Sequence, residues 1–158
     1  MTTINEIKII EYTTTVLYEP NTWKVWVSKR INKEKEYYDQ WQSPGGKIED
    51  SDVTTKQAAQ REVFEETGIY LELDEFKYWR TEYYYKRNEW RIVYCYRAII
   101  HGVPELMEEW NMTDWELKEI KEVVNGKIVQ SVYDTITKER EVETQIILIE
   151  GACGAVTE

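Results

Sequence analysis

The sequence predicts a single domain of the α/β (α+β) class, in which a mixed β-sheet is flanked by two helices. A chain of 158 residues has the length of one ordinary domain. Its hydrophobic residues make up 42% of the total and include seven Trp, and there are twelve Tyr, which is enough for a packed core. Strand-like and helix-like patterns alternate along it. We expect one domain over residues 1–158, with a loose tail from about residue 151.

The strands are predicted from runs of β-branched and aromatic residues that turn residues separate. Residues 7–18 form the first strand, and a turn returns the chain as a hairpin through residues 23–28. Alternation along the second strand places Trp23, Val25 and Val27 on one face and Trp26 on the other. Further strand-like segments follow at residues 41–44, 70–73, 76–85 and 90–100, and residues 114–117 form a short strand or a turn.

Two helices are predicted, one in the middle of the chain and one near its end. The first ends before Gly68, since glycine favours the left-handed backbone that closes many helices, and it spans about three to four turns. Apolar residues at helical spacing predict the second helix at residues 126–140. Residues 144–149 are either a final strand or a continuation of that helix. Side-chain oxygens suited to the start of the first helix belong to Ser51, Asp52, Thr54 and Thr55.

The charge balance restricts the classes of partner. Twenty Lys and Arg stand against 30 Asp and Glu, a formal charge of −10, so broad binding of nucleic acid is not expected. No apolar run is long enough to cross a bilayer, and the first ten residues lack a signal-peptide core. Cys95 and Cys153 are far apart in the sequence and are expected to be reduced. We therefore expect a cytoplasmic protein that binds no membrane.

Three glutamates share one face of the first predicted helix. Glu62, Glu65 and Glu66 stand at positions i, i+3 and i+4, while Val63 and Phe64 turn away. Like charges at this spacing destabilise a helix. The face is either solvated or binds a hard divalent cation, which prefers oxygen ligands. The two glycines at 45 and 46 favour a cation, because glycine lets backbone approach closely and supply a carbonyl ligand.

Residues 45–69 as a whole resemble the Nudix box, the signature of the MutT-type Nudix hydrolases. The pattern is Gly, five residues, Glu, seven residues, then Arg-Glu-apolar-any-Glu-Glu-any-Gly-apolar. Gly46 matches the first glycine, and residues 61–69 match the second half in unbroken register. Asp52 stands where the family has Glu, and eight residues rather than seven separate it from Arg61. The extra residue is expected in the loop before the helix. It leaves open whether Asp52 braces the loop and Arg61, as its family counterpart does.

The resemblance implies a fold, a reaction and a cofactor. The fold is the α/β/α sandwich, and the reaction is hydrolysis of a nucleoside diphosphate linked to another group. The cofactor is Mg²⁺, or alternatively Mn²⁺, held by Glu62, Glu65, Glu66 and the carbonyl of Gly46. Arg61 is expected to orient these acidic groups by ion pairing. The substrate-binding candidates are Arg30, Gly45 and Lys47, although Arg30 is equally well interpreted as an ordinary surface residue.

A general base must take the proton of the attacking water, and the sequence offers two candidates. Glu62 lies within the box. Glu108, with Glu109 beside it, lies in a later acidic loop that precedes Trp115, resembling a loop of nucleotide-cleaning relatives. The alternative is that the glutamates of this loop are simply solvated.

The substrate class stays open between alternatives. The short chain and the acidic loop favour a nucleoside triphosphate as substrate. This triphosphate could be an oxidised or otherwise non-standard one. Tyr84 stands where hydrolases of dinucleoside polyphosphates carry a marker, but it lies in a row of three tyrosines, so the match is weak.

A binding module without turnover is the alternative of another class, and the three box glutamates argue against it. Both a monomer and a homodimer are compatible with the sequence. Aromatic candidates for stacking on a base are Trp41, Tyr83, Tyr85 and Trp115.

Overall fold

The computed structural model describes residues 6–123. The predicted helix at 126–140, the segment at 144–149 and the tail lie outside this range. No helix within residues 6–123 is long and apolar enough to cross a membrane. The elements in chain order are β1 Ile9–Tyr18, β2 Val25–Lys29, β3 Trp41–Gln42, β4 Gly45–Lys47, α1 Thr55–Thr67, a 3-10 turn Leu73–Glu75, β5 Lys77–Lys86, β6 Glu89–Ile99, β7 Glu116–Lys118 and α2 Ile120–Val123.

The strands form a mixed sheet, which confirms the predicted class. The order is β3-β2-β1-β6-β5, with β4 paired to β1 and β7 paired to β2. β1 and β6 run parallel over their length, and β5 and β6 form an antiparallel hairpin. Arg87 and Asn88 close that hairpin with φ angles of 51° and 62°, as a two-residue turn matched to the twist of the strands requires.

The predicted antiparallel pairing of the first two strands is confirmed, although only Tyr18 and Val25 pair, because β4 occupies part of that edge of β1 while β6 pairs along its other edge. Two local predictions were wrong. Residues 70–73 do not form a strand, and a 3-10 turn begins at Leu73. The double glycine is not a loop, since Gly45–Lys47 pairs with residues 12–14 of β1. Partners this distant leave no signal in the local pattern.

Apolar side chains cover both faces of the sheet. One cluster packs α1 onto the sheet through Ala59 and Val63, with Trp26 at its edge. The cluster on the opposite face contains Val25 and Val27, with Trp23 packed against it, so the predicted alternation is confirmed. Because α1 buries its apolar side against the sheet, its glutamates are directed to the end where β4 lies.

Candidate active site

The ends of α1 are fixed by capping groups, and this sets the direction of its glutamates. The Thr54 hydroxyl accepts a hydrogen bond from the Gln57 N–H at 3.1 Å. At the other end Gly68 has φ 74° and donates its N–H to the Phe64 carbonyl at 2.9 Å. Both signals were predicted from the sequence. The helix between them is continuous, so Glu62 and Glu66 lie one turn apart on the same side.

Arg61 connects the helix to the strand before it. Its guanidinium donates to the Lys47 carbonyl at 3.1 Å, to Glu62 at 3.0 Å and to Glu65 at 3.2 Å. The Glu65 side chain is half exposed, whereas that of Glu62 is 12% exposed. Arg61 therefore holds β4 and two of the three glutamates at once, which is the arrangement that the resemblance implied.

Asp52 also binds Arg61 despite the extra residue between them. Arg61 Nε and Nη2 donate to the two carboxylate oxygens of Asp52 at 3.0 and 2.9 Å. The Glu49 N–H donates to the same carboxylate at 2.8 Å, closing a turn. These contacts, the Arg61 hydrogen bond first, hold the pKa of Asp52 below its usual value. The extra residue lies in the loop before Thr55, where the helix begins, and Asp52 braces the loop and the arginine.

The two glycines hold the two inner glutamates. The Gly45 N–H donates to Glu66 Oε2 at 2.8 Å. A Cβ at position 46 would lie 2.5 Å from Glu62 Oε1, so only glycine leaves that carboxylate its place. Gly45 thus has a structural contact that the sequence did not reveal, and its N–H is already used.

The inner carboxylates are crowded. Burial raises the pKa of Glu62 to about 7, although Arg61 opposes the shift. Burial, followed by the charge of Glu62, raises the pKa of Glu66 as well. The charge of Glu108 adds to both shifts, so the later loop brings its glutamate to this site. Arg30 acts in the opposite direction on Glu66, which places its positive charge nearby.

The loop that carries Glu108 is held by Trp115. The indole N–H of this 6% exposed residue is shared between the backbone carbonyls of Glu66 at 3.2 Å and Glu105 at 3.1 Å. The Glu105 N–H in turn donates to the Thr67 carbonyl at 2.8 Å. Trp115 is therefore buried and is not available to stack on a base. The position of Trp115 after an acidic loop did not predict that its indole would bond to the backbone of α1 and of the loop.

The remaining substrate candidates lie around this cluster. Arg30 follows β2, and its Nε donates to the Gln42 side chain at 2.7 Å. Lys47 is exposed at the end of β4. The charge of Arg30 thus acts on Glu66, while its side chain is bonded to Gln42, and the Lys47 side chain is exposed.

The domain comparison decides the family. A model of the NUDIX domain matches residues 12–138, which is most of the chain. The chain belongs to the Nudix family. It is accordingly a Nudix hydrolase, a class of enzyme that acts on pyrophosphate bonds. Comparison with curated proteins gives no match.

Solved structures share the Nudix fold at low sequence identity. The MutT Nudix hydrolase of Burkholderia pseudomallei is 16% identical, with 81% of this chain and 98% of that chain covered and a TM-score of 0.68. The Nudix domain of Shewanella oneidensis NrtR, solved with ADP ribose, is 17% identical, with coverages of 87% and 90% and a TM-score of 0.64. An Ap4A hydrolase of C. elegans is 12% identical, with coverages of 85% and 98% and a TM-score of 0.62.

The Nudix family generally uses divalent metals such as Mg²⁺, and the chemistry of the site fits one. Carboxylate and carbonyl oxygens are the ligands that Mg²⁺ prefers. Glu62 and Glu66 are desolvated and repel each other, so a cation between them would relieve both effects. As placed, no three Asp, Glu, His or Cys side chains within residues 6–123 form a complete metal site, because Arg61 draws Glu62 and Glu65 toward itself.

Proposed function

We propose that this Nudix chain hydrolyses a nucleoside triphosphate to the monophosphate and pyrophosphate with the help of Mg²⁺. The observation that carries the proposal is the placement of Glu62 and Glu66 on one side of α1, Glu62 against Gly46 and Glu66 bound by the Gly45 N–H, where the charges of Glu108 and Arg30 also act on Glu66. Burying like charges lowers the stability of the free protein, so such a cluster is a candidate site for a ligand that offsets the repulsion. A metal ion there, together with a nearby arginine, suits a polyphosphate.

The inner residues divide into metal ligands and supports. Glu62 and Glu66 are the principal proposed ligands, with Glu65 and the Gly46 carbonyl completing the set. A bound divalent metal would neutralise the substrate charge and favour attack by water. Arg61 acts on the carboxylates and not on the substrate, since its donors are used by Asp52, Lys47 and the box glutamates. The proposed phosphate contacts are Arg30 and Lys47.

Glu108 is the better-supported general base. The Glu62 carboxylate accepts a hydrogen bond from Arg61 and is also a proposed metal ligand, whereas Glu108 forms no ion pair within the part of the chain described. As base, its carboxylate would take a proton from water while the water oxygen attacks phosphorus and the bridging oxygen leaves with pyrophosphate. Glu62 stays the second candidate.

The test is product release from a panel of nucleotides with and without Mg²⁺. The panel contains standard, oxidised and methylated triphosphates, dinucleoside polyphosphates and nucleotide sugars. Release that requires metal supports the proposal, and Glu108→Gln and Glu62→Gln are each expected to lower kcat by about a hundredfold to ten-thousandfold. Glu109→Gln, an exposed neighbour with the same charge change, is the matched control. Binding without release across the panel would show a silent module.

Dinucleoside polyphosphates are the second candidate because the C. elegans neighbour is an Ap4A hydrolase. The tyrosine marker does not strengthen this option. The Tyr84 hydroxyl bonds to the Tyr37 hydroxyl at 3.1 Å, and its ring lies 5.9 Å from the Arg91 guanidinium. Tyr84 is thus held within the protein, and the panel decides between the two classes.

A further inference from the structure

A second cluster of charges lies on the sheet away from the box. Its centre is Arg91 in β6, which is 6% exposed. Both terminal nitrogens of Arg91 donate to the two oxygens of Glu36, at 2.5 and 2.8 Å. Its Nε donates to Glu89 at 2.9 Å, and its guanidinium lies 5.8 and 5.9 Å from the rings of Tyr12 and Tyr84. A paired, stacked arginine of this kind is a rigid anchor.

Glu36 receives three cations in all. Besides Arg91, it pairs with Arg87 Nε at 3.0 Å and Lys86 Nζ at 3.8 Å, both from the β5–β6 hairpin. The Arg91 hydrogen bond, first among these contacts, holds the pKa of Glu36 below its usual value. We call these four residues the Glu36 clamp. It is the part of the structure that ties the loop at residues 31–40 to the hairpin.

The Glu36 clamp lies next to the turn whose backbone is hydrogen-bonded to Arg30. Just after Glu36, Tyr37 and Asp39 both have φ 60°, a strained backbone for residues other than glycine. This strained stretch makes both backbone hydrogen bonds of Arg30. The Asp39 N–H donates to the Arg30 carbonyl at 2.9 Å, and the Arg30 N–H donates to the Gln40 carbonyl at 3.3 Å. A strained turn persists only when surrounding contacts hold it, and the clamp is such a contact.

We propose that Glu36 and Arg91 are positioning residues that set the place of Arg30 for the phosphates of the substrate. The proposal rests on the function proposed above. The clamp holds the strained turn, the turn holds the Arg30 backbone, and the Gln42 side chain fixes the guanidinium by accepting a hydrogen bond from Arg30 Nε at 2.7 Å. If the clamp opens, the turn no longer fixes Arg30 from this side, and its place depends on the bonds of Lys29 and Ile31 to residues 111–113 and on Gln42, while the metal-binding end of α1 keeps its own contacts. The effect should therefore appear in substrate binding and not in the chemical step.

The first experiment compares Glu36→Gln with Glu34→Gln. Glu34 is an exposed carboxylate of the same loop outside the clamp, so the two variants make the same charge change. We expect Glu36→Gln to raise KM by about tenfold, equivalent to the loss of roughly 1.4 kcal/mol of binding. We expect kcat to stay within about twofold and Glu34→Gln to match the wild type. Arg91→Lys keeps the charge but loses the paired geometry, and it should give the same KM increase.

A double-mutant cycle with Arg30→Ala tests the route through Arg30. If Glu36 acts through Arg30, Glu36→Gln has no further effect on KM once Arg30 is removed. Additive effects of Glu36→Gln and Arg30→Ala would overturn the proposal, and so would an unchanged KM in both clamp variants. A general loss of folding would instead lower kcat and the unfolding temperature together. That outcome in both Glu36→Gln and Arg91→Lys would show a purely structural role.

Binding of a non-hydrolysable triphosphate, measured by calorimetry with Mg²⁺, separates the two proposals. If the wild type turns over nucleotides and the clamp variants bind the analogue with normal affinity, the positioning role of the Glu36 clamp is contradicted and the proposed activity is not. A wild type that binds without turnover contradicts the proposed activity, and the clamp is then judged by the dissociation constants of the same variants. A wild type that neither binds nor turns over nucleotide contradicts both.

Discussion

The box and the Glu36 clamp are two clusters of charges on the same sheet, and they treat carboxylates in opposite ways. Glu36 has three cations around one carboxylate, and its pKa is lowered. Glu62 shares Arg61 with three other carboxylates, and its pKa is raised to about 7. In the clamp the carboxylate is fully paired with cations of the chain, whereas in the box the carboxylates outnumber the one arginine.

The difference shows which cluster awaits a ligand. Buried charges that are paired and hydrogen-bonded can serve structure alone, whereas a buried excess of one sign costs stability in the free protein. The excess at Glu62 and Glu66 is a cost that a bound cation would offset. The clamp needs no ligand. Variants of the two clusters should therefore separate activity from stability.

The largest expected effect is on turnover, from Glu66→Gln. Loss of a proposed metal ligand should lower kcat by about a hundredfold or more, since a catalytic metal supplies several kcal/mol of transition-state stabilisation. The amide oxygen can still accept the Gly45 N–H, and a buried charge is removed. The metal-free variant should thus unfold at the same or a higher temperature than the wild type, as measured by calorimetry with EDTA.

Glu65→Gln is the matched comparison for Glu66→Gln. Glu65 lies one residue earlier on the same helix, is half exposed and pairs with Arg61. We expect a smaller loss of kcat than for Glu66→Gln. Equal losses of kcat would mean that the exposed Glu65 contributes as much to turnover as the buried Glu66, which would contradict the assignment of Glu66 as the more important metal ligand.

How much the sequence could predict follows from the range of the contacts. The caps of α1 and the acidic face were predictable because both depend on neighbours within one or two turns. The β1–β6 pairing, the Gly45 contact with Glu66 and the burial of Trp115 were not, since each joins residues far apart in the chain. The Glu36 clamp was not predicted for the same reason, since 55 positions separate Glu36 from Arg91 and neither residue belongs to a motif.

The second effect is on stability, from Arg91→Leu. Removing one partner of a buried ion pair usually costs about 3–5 kcal/mol. Glu36 keeps Arg87 and Lys86, so we expect a smaller loss, roughly 2 kcal/mol in the free energy of unfolding. Denaturant unfolding measures it. Lys8→Leu removes an exposed cation that pairs with Glu89 and should cost less than about 1 kcal/mol. Equal costs would show that the clamp is no anchor.

The third effect is the pH dependence of stability in EDTA. The pKa of Glu62 is about 7 in the folded protein, above its ordinary value of 4.5, so folding favours its protonated form. That contribution is complete below pH 4.5 and is lost as the pH rises through about 7. The lowered pKa of Glu36 gives a contribution that is lost only as the pH falls below its ordinary value.

Between pH 5 and 8 the metal-free protein should therefore lose roughly 1–2 kcal/mol as the pH rises, and the loss should come from the box. Unfolding curves at a series of pH values measure it. Glu62→Gln should flatten the dependence, and Glu36→Gln should leave it unchanged. A dependence that persists in Glu62→Gln and Glu66→Gln would place its source elsewhere.

The smallest effect, and the most local, is from Gly46→Ala. The added Cβ would lie 2.5 Å from Glu62 Oε1, at the end of a flexible side chain that can move away. Folding should hardly change, whereas displacement of the carboxylate should weaken Mg²⁺ binding by about fivefold to tenfold, measured by calorimetric titration. At Gly45 the new atom would instead meet the Thr13 backbone carbonyl, so Gly45→Ala should lower the unfolding temperature.

Gly102→Ala is the control for both glycine variants, because a Cβ there meets nothing within 4 Å. It should match the wild type in stability and in Mg²⁺ affinity. If Gly46→Ala also matches the wild type in Mg²⁺ affinity, Glu62 does not depend on its place against that glycine. Glu62 would then act as an ion-pair partner of Arg61 and not as a metal ligand.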